Sequence, residues 1–260
     1  MPNFDAGDAS NSDIQAVARV GQICALFRPR VLELTAADVA ERTGLNRTTA
    51  YRYCASMVAA GILERGSRRG TFALGRLMVE LGTLALGRLR VVDVAGPHLR
   101  KLSAAARMTA VLSVRGVEGP VVAAVEEDTS RVVVVTVPVG TKLDATAAQT
   151  HLFLAYADAA TMEAVAAALP TAERARLEAD VSVARRQGFS MVRHSGGSFG
   201  VAAPVFDDSG MCATVALLSG DLADMSPALE QLLATANALS DEMKAPDEGS
   251  TLADAQGAEL

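Results

Sequence analysis

The sequence predicts an α+β chain in two parts, a small basic helical head and a larger acidic body of antiparallel strands packed with helices. Three observations carry this. Residues 35–74, TAADVAERTGLNRTTAYRYCASMVAAGILERGSRRGTFAL, read as helix, tight turn, helix and two-stranded hairpin. From Thr109 onward the apolar spacing switches from a helical period to strand-like runs such as TAVLSVR and PVVAAVE. Charge divides along the chain: residues 13–101 hold 14 Lys and Arg against 7 Asp and Glu, whereas residues 102–260 hold 10 against 21. Such asymmetry restricts contact with a polyanion to the front of the molecule.

Half of the 260 residues are hydrophobic, enough for a sizeable core, and with no Trp that core must be built from Val, Leu and Ala. The three cysteines, Cys24, Cys54 and Cys212, have no metal-ligand spacing, and their odd number argues against a disulfide framework. No apolar run approaches the ~18 residues of a membrane span. Residues 1–12, small and polar, lack the basic and apolar regions of a signal peptide and are expected to be disordered. A cytoplasmic location without membrane contact is the expectation.

The head is expected over 13–75. Its first helix starts near Ser12 or Asp13, either of which can cap it, presents Ile14, Val17, Val20 and Cys24 on one side, and ends at Pro29. Leu32 and Leu34 carry the chain to Thr35, an N-cap with Asp38 three residues on. The second helix runs from Ala36 to about Arg42, and Gly44 supplies the left-handed turn. Asn46 caps a third helix, Arg47 to about Ala60, which turns Ala50, Cys54 and Met57 inward and Arg47, Thr48, Thr49, Tyr51 and Arg52 outward. Gly61 closes it. Strands at 62–65 and 71–74 flank a turn carrying Arg68 and Arg69, with Arg65 beside it.

A helix-turn-helix places the start of its second helix against base edges and phosphates. Arg can take guanine bidentately, Thr can bond a base or touch a thymine methyl, and Tyr reaches phosphate. A solvated polar helix face would explain Arg47 and Arg52 alone. It would not explain arginines clustered at a hairpin tip, which is where a wing meets a phosphate backbone. The whole is therefore read as a winged helix-turn-helix bound to double-stranded DNA, with Thr35 and Asn46 joining the contact set from the two helix starts.

Residues 76–92 carry a leucine-rich helical stripe, Leu77, Leu81, Leu84 and Leu86, read as a linker and dimerisation helix. Two heads reading paired half-sites of a palindromic operator gain by effective concentration. The body is expected over 93–243. Pro97 opens a helix to about Arg107. Strands follow at 109–115, 120–126 and 131–138, then helices at 145–156, 160–168 and 171–188 and a short strand at 189–192. A flexible loop at 194–200 leads to strands at 201–206 and 213–219, and Pro227 opens a closing helix. Residues 244–260 are expected to be a disordered tail. No phosphate-binding glycine loop and no nucleophile elbow occurs. His98, His151 and His194 have no metal-type partners in sequence. No catalytic residue, metal or cofactor is expected, and the chain is read as a non-enzyme.

Several of these pieces, in this order, resemble the IclR family of bacterial transcriptional regulators. LTAADVAERTGLNRTTAYRYCASMVAAGILER resembles the family helix-turn-helix and GTFALG its wing end. VPVGTKLDATAAQTHLFLAY resembles the loop and helix of the effector domain, and RRQGFS and VAAPVFDDSGMCATVALLSG resemble its later strands. The resemblance covers roughly residues 13–242. It implies a winged helix-turn-helix, a linker helix and a GAF-like effector-binding domain, assembled as homodimers or dimers of dimers that repress or activate operons. It also implies a small-molecule effector, often a small organic acid, in a pocket between sheet and covering loops. Carried onto this sequence, the pocket walls fall near Val132, Val135, Ala148, Gln149 and Val192, and near Ser198, Gly200, Leu217 and Ser219.

The chain departs from the family pattern in two places. The family run Pro-x-His-Ala, ending in Gly-Lys, appears as 144–151, DATAAQTH, one residue shorter. The acidic run after the aromatic strand position appears as 191–194, MVRH, and Gly200 offers no thiol or hydroxyl. A pocket of Val and Ala with Gln149, Ser198 and Ser219 as hydrogen-bonding groups is expected. The alternative is a constitutive DNA-binding regulator whose second domain serves only to oligomerise.

Overall fold

The computed structural model describes residues 14–130, 134–194 and 196–244, with the side chains of 224 and 225 not considered. It divides into two compact units, residues 1–88 and 89–260. The expected disorder at 1–12, the caps at Ser12 and Asp13 and nearly all of the tail lie outside the described residues.

The first unit contains α1 (Gln15–Cys24), β1 (Leu34–Thr35), α2 (Ala36–Thr43), α3 (Arg47–Ala59), β2 (Leu63–Arg65), β3 (Thr71–Leu74) and α4 (Arg76–Gly87). Ile23, Leu34, Val39, Ala50, Cys54, Met57, Leu63 and Phe72 form its core. Ile14 occupies the N-cap of α1 with no side-chain bond, and the helix ends at Cys24, a turn before Pro29. The chain then folds back through paired backbone bonds between Arg28 and Val31. The sheet has three strands in the order β1-β3-β2. Leu34–Thr35 pairs antiparallel with Thr71–Phe72, a two-residue strand too short for sequence periodicity to register. The α2–α3 turn is as expected: Thr35 and Asp38 form a reciprocal capping box, Gly44 is left-handed (φ 70) and Asn46 caps α3.

In the second unit, α5 (Arg90–Ala106) leads into β4 (Thr109–Arg115), β5 (Pro120–Glu126), α6 (Ala148–Ala155), α7 (Ala159–Ala167), α8 (Thr171–Gln187), β6 (Ser190–Arg193), β7 (Phe199–Asp207), β8 (Gly210–Ser219) and α9 (Met225–Lys244). The antiparallel sheet runs β5-β4-β8-β7-β6. Side-chain alternation gives it two faces. Ala110, Leu112, Val201, Ala203, Val215 and Leu217 pack beneath α5 and α9. Val111, Ala202 and Ala216 face α6 and α8. Every residue of α6 is buried, the polar Gln149, Thr150 and His151 included.

Five expectations need correction. The helical stretch expected at 76–92 breaks at Arg88–Leu89, and Val91 belongs to the core of the second unit. Pro97 lies inside α5 rather than at its start. An interior proline costs about 3 kcal/mol, which is offset where Val91, Ala95, Leu99 and Leu102 bury one continuous stripe. The third expected strand is not a strand at 134–138, and 131–133 lie outside the described residues. A Val-rich run suits a strand, but β5 receives backbone bonds from the 140–143 loop instead, Val122 to Thr141 at 3.0 Å and Leu143 to Pro120 at 2.9 Å. Finally, β7 begins at Phe199, so Gly200 belongs to the ladder and not to a loop. The closing helix likewise starts at Met225, placing Pro227 in its first turn, where a missing N–H is tolerated, and it extends through Lys244.

Candidate functional site

Two places in the molecule gather chemistry, one in each unit. In the first unit, α3 exposes Arg47, Thr48, Tyr51 and Arg52, with Thr49 half-buried. Thr35 and Asn46 are already engaged. The Thr35 hydroxyl donates to Asp38 Oδ2 (2.8 Å) and accepts from Asp38 N, while Asn46 Oδ1 accepts from Thr49 N at 2.8 Å. These bonds fix the starts of α2 and α3, and those from Thr35, the backbone N–H foremost, hold the Asp38 carboxyl below its ordinary pKa. Both residues therefore position the helices whatever else they touch.

The hairpin is stapled by a residue the sequence reading passed over. Glu33, its side chain 17% exposed, receives bonds from Ser67 N (2.8 Å), Ser67 Oγ (2.5 Å) and Thr71 Oγ1 (2.7 Å), and pairs with Arg68 Nε at 3.3 Å. Hydrogen bonds from the Ser67 and Thr71 hydroxyls and from backbone N–H groups pull its pKa to about 2. Gly66 makes room for the contact, since a Cβ there would stand 2.9 Å from the Glu33 carboxyl carbon. No spacing rule links residue 33 to a turn more than thirty positions later, so β1 had to be seen before the staple could be. Arg65 lies over the Phe72 ring at 4.9 Å and near the Tyr51 ring at 5.9 Å, tying wing to α3. Arg68 and Arg69 remain exposed at the tip.

In the second unit, a cavity of about 180 Å³ lies between the α6 side of the sheet and the chain leading to α6. Val135, Ala148, Gln149, Ser198 and Gly200 line it, together with His194 and Leu218. Gln149 is buried and donates from Nε2 to Thr214 Oγ1 at 3.1 Å. Other expected wall residues lie elsewhere. Val192 faces a neighbouring cavity of about 460 Å³ bounded by α8 and shared with His194. Ser219 borders a third, of about 330 Å³, beside Thr109 and Asp221. Leu217 does not reach any of these, because strand alternation turns it into the α5–α9 core and gives the cavity Ala216 and Leu218 in its place. Val132 lies outside the described residues. A wider groove of about 600 Å³ in the first unit, between α1 and α3, is lined by Val17, Val20, Tyr53 and Met57 and is open to solvent.

The three histidines have separate fates. His98 pairs with Glu242 at 2.9 Å. His151 is buried, bonded through Nδ1 to Ser190 Oγ and through Nε2 to Ala145 O, and burial pushes its pKa down, so it serves as a neutral strut. His194 borders the cavity. Among the described residues no three His, Cys, Asp or Glu side chains are placed to hold a metal, and no helix is long and apolar enough to cross a membrane.

Residues 16–67 match the IclR helix-turn-helix domain, and residues 83–241 match the bacterial transcriptional regulator IclR C-terminal domain. The chain belongs to the IclR family of bacterial transcriptional regulators. Within the IclR family it is 29% identical over 90 residues to the HTH-type transcriptional regulator XynR of Escherichia coli K12. It is 28% identical over 107 residues to the HTH-type regulator Rv1719 of Mycobacterium tuberculosis. These alignments span 36% and 40% of the two relatives. The fold is also that of an IclR family regulator from Brucella abortus (TM-score 0.74, 17% identity, 92% of this chain and 96% of that one). An IclR homologue from Microbacterium hydrocarbonoxydans in complex with 4-hydroxybenzoate is similar too, with TM-score 0.70, 24% identity and 88% and 98% of the two chains covered.

Proposed function

We propose that this IclR-family regulator is a sequence-specific DNA-binding protein whose operator affinity is set by a small organic acid in the 180 Å³ cavity. The observation that carries the proposal is the pairing of an exposed arginine face, α3 with the stapled wing, with a small, mostly apolar cavity holding few polar groups in the other unit. Arg47, Thr48 and Arg52 would read bases and flanking phosphates, while Arg65, Arg68 and Arg69 would follow the backbone. Homodimerisation suits α4, which buries none of its side chains and leaves Val79 and Leu84 68% exposed. On this reading two heads meet one palindrome, as a dimer or a dimer of dimers in the cytoplasm.

Selection of duplexes from a random pool tests the first half. Enrichment of an inverted repeat with half-sites about one helical turn apart, or a multiple of it, is expected, and enrichment of nothing would sink it. Release or tightening of the selected duplex by a panel of small carboxylic acids tests the second half. If none binds at millimolar concentration, the second unit is an oligomerisation module and the regulator is constitutive.

A further inference from the structure

We propose that His194, laid across Gly200, is the anion-recognising group of this cavity, and that the ligand class is a compact monocarboxylate. The inference rests on the reading of the chamber as the effector site. The sheet register fixes the geometry. Val192 pairs with Gly200 and Arg193 with Phe199, and His194 N donates to Ser198 O at 2.8 Å, extending the ladder by one residue. Alternation then puts Val192 and His194 on the α6 side of the sheet, Val192 against the neighbouring cavity and His194 against the chamber, while the Arg193 guanidinium lies over the Phe199 ring. Gly200 is the diagonal cross-strand neighbour of His194. A Cβ at position 200 would stand 3.2 Å from His194 Nε2, so the imidazole occupies the space a side chain there would claim.

The rest of the lining leaves the anion little else. Among the described lining residues there is no Arg, Lys, Asp or Glu. Thr136 gives its hydroxyl to Glu127, and Gln149 gives its amide N–H to Thr214. A carboxylate in so apolar a chamber needs a charged or strong donor, and His194 with Ser198 supplies one donor pair. That suffices for one carboxylate and favours a monocarboxylate over a dicarboxylate or phosphate. The volume suits a single ring or a short chain, since a cavity of about 150 Å³ accommodates benzene.

On its far side His194 meets the neighbouring cavity, where α8 contributes Glu173, Arg176 and Asp180 and α6 contributes the neutral His151. Arg193 lines that cavity as well. Arg176 is drawn to Asp180 at 3.7 Å, so these groups include cations and carboxylates rather than one uniform charge.

The test uses the full chain, calorimetric titration, and two matched probe pairs, benzoate with benzamide and 4-hydroxybenzoate with its amide. The carboxylates are expected to bind at least roughly 10-fold more tightly than the amides. His194→Leu, which removes the donor, should cost the carboxylates roughly 10-fold. Gly200→Ala, which displaces the ring without removing it, should do the same to a smaller degree. Amides binding as well as acids, or His194→Leu leaving acid affinity unchanged, overturns the His194 assignment while the chamber remains the effector site. Binding of neither acids nor amides overturns the effector reading itself.

Discussion

Removing one arginine from the wing tip should change how steeply DNA binding depends on salt, and by a calculable amount. Each phosphate neutralised adds about 0.9 to the slope of log affinity against log salt concentration. One head offers Arg47, Arg52, Arg65, Arg68 and Arg69, all exposed. If all five engage in a two-headed complex, the slope is about −9, and doubling the salt from about 0.1 M lowers affinity roughly 500-fold. Arg69→Ala deletes one contact per head, bringing the slope to about −7 and the loss to roughly 150-fold. Arg68→Ala should move the slope less than Arg69→Ala, because Arg68 already shares its charge with Glu33 at 3.3 Å. Fluorescence anisotropy on a labelled duplex of about 30 base pairs, titrated across potassium chloride concentrations, measures this without knowledge of the operator. A slope unaltered by Arg69→Ala would refute the placing of the wing on the phosphate backbone.

Two further outcomes follow from the packing. Because the folded Glu33 carboxyl sits at about 2, below its ordinary value of 4.5, its contribution to stability is present above that ordinary value and is lost as pH falls toward 2. Thermal melts of Glu33→Gln should therefore lose part of the acid dependence of the parent, and coincident Tm-against-pH curves would rule out the staple. Pro97→Ala should raise the urea midpoint by an amount equivalent to about 2 kcal/mol, the interior-helix penalty less the extra freedom of the unfolded chain. An unchanged or lower midpoint would show that the exposed proline is not strained in α5.

The reading of α2, α3 and the wing succeeded because local chemistry dictates those elements: Thr35 with Asp38, Gly44 and Asn46 each act within four residues of their own position. Long-range pairing was less visible. β1 is two residues long, and Glu33 acquires its role only when β1 meets β3. Around the chamber, Val135, Ala148, Gln149, Ser198 and Gly200 are indeed brought together. Leu217 missed because a position carried over by resemblance has no face attached to it until the register of β8 is known. His194 lay in what reads as a loop, and only the extra rung to Ser198 assigns its side chain to a face.

The alternation of β7 and β8 separates two kinds of evolutionary freedom. Odd-numbered residues, Val201, Ala203, Val215 and Leu217, build the hydrocarbon seal under α5 and α9. Even-numbered ones, Gly200, Ala216 and Leu218, meet the chamber. If the chamber is the effector site, its specificity can drift by substitution at even positions while the body keeps its stability. A sensor library built on this scaffold would diversify 198, 200, 216 and 218 and hold their neighbours constant. An insertion of a single residue in either strand, by contrast, would exchange the two sets and present the seal to the ligand.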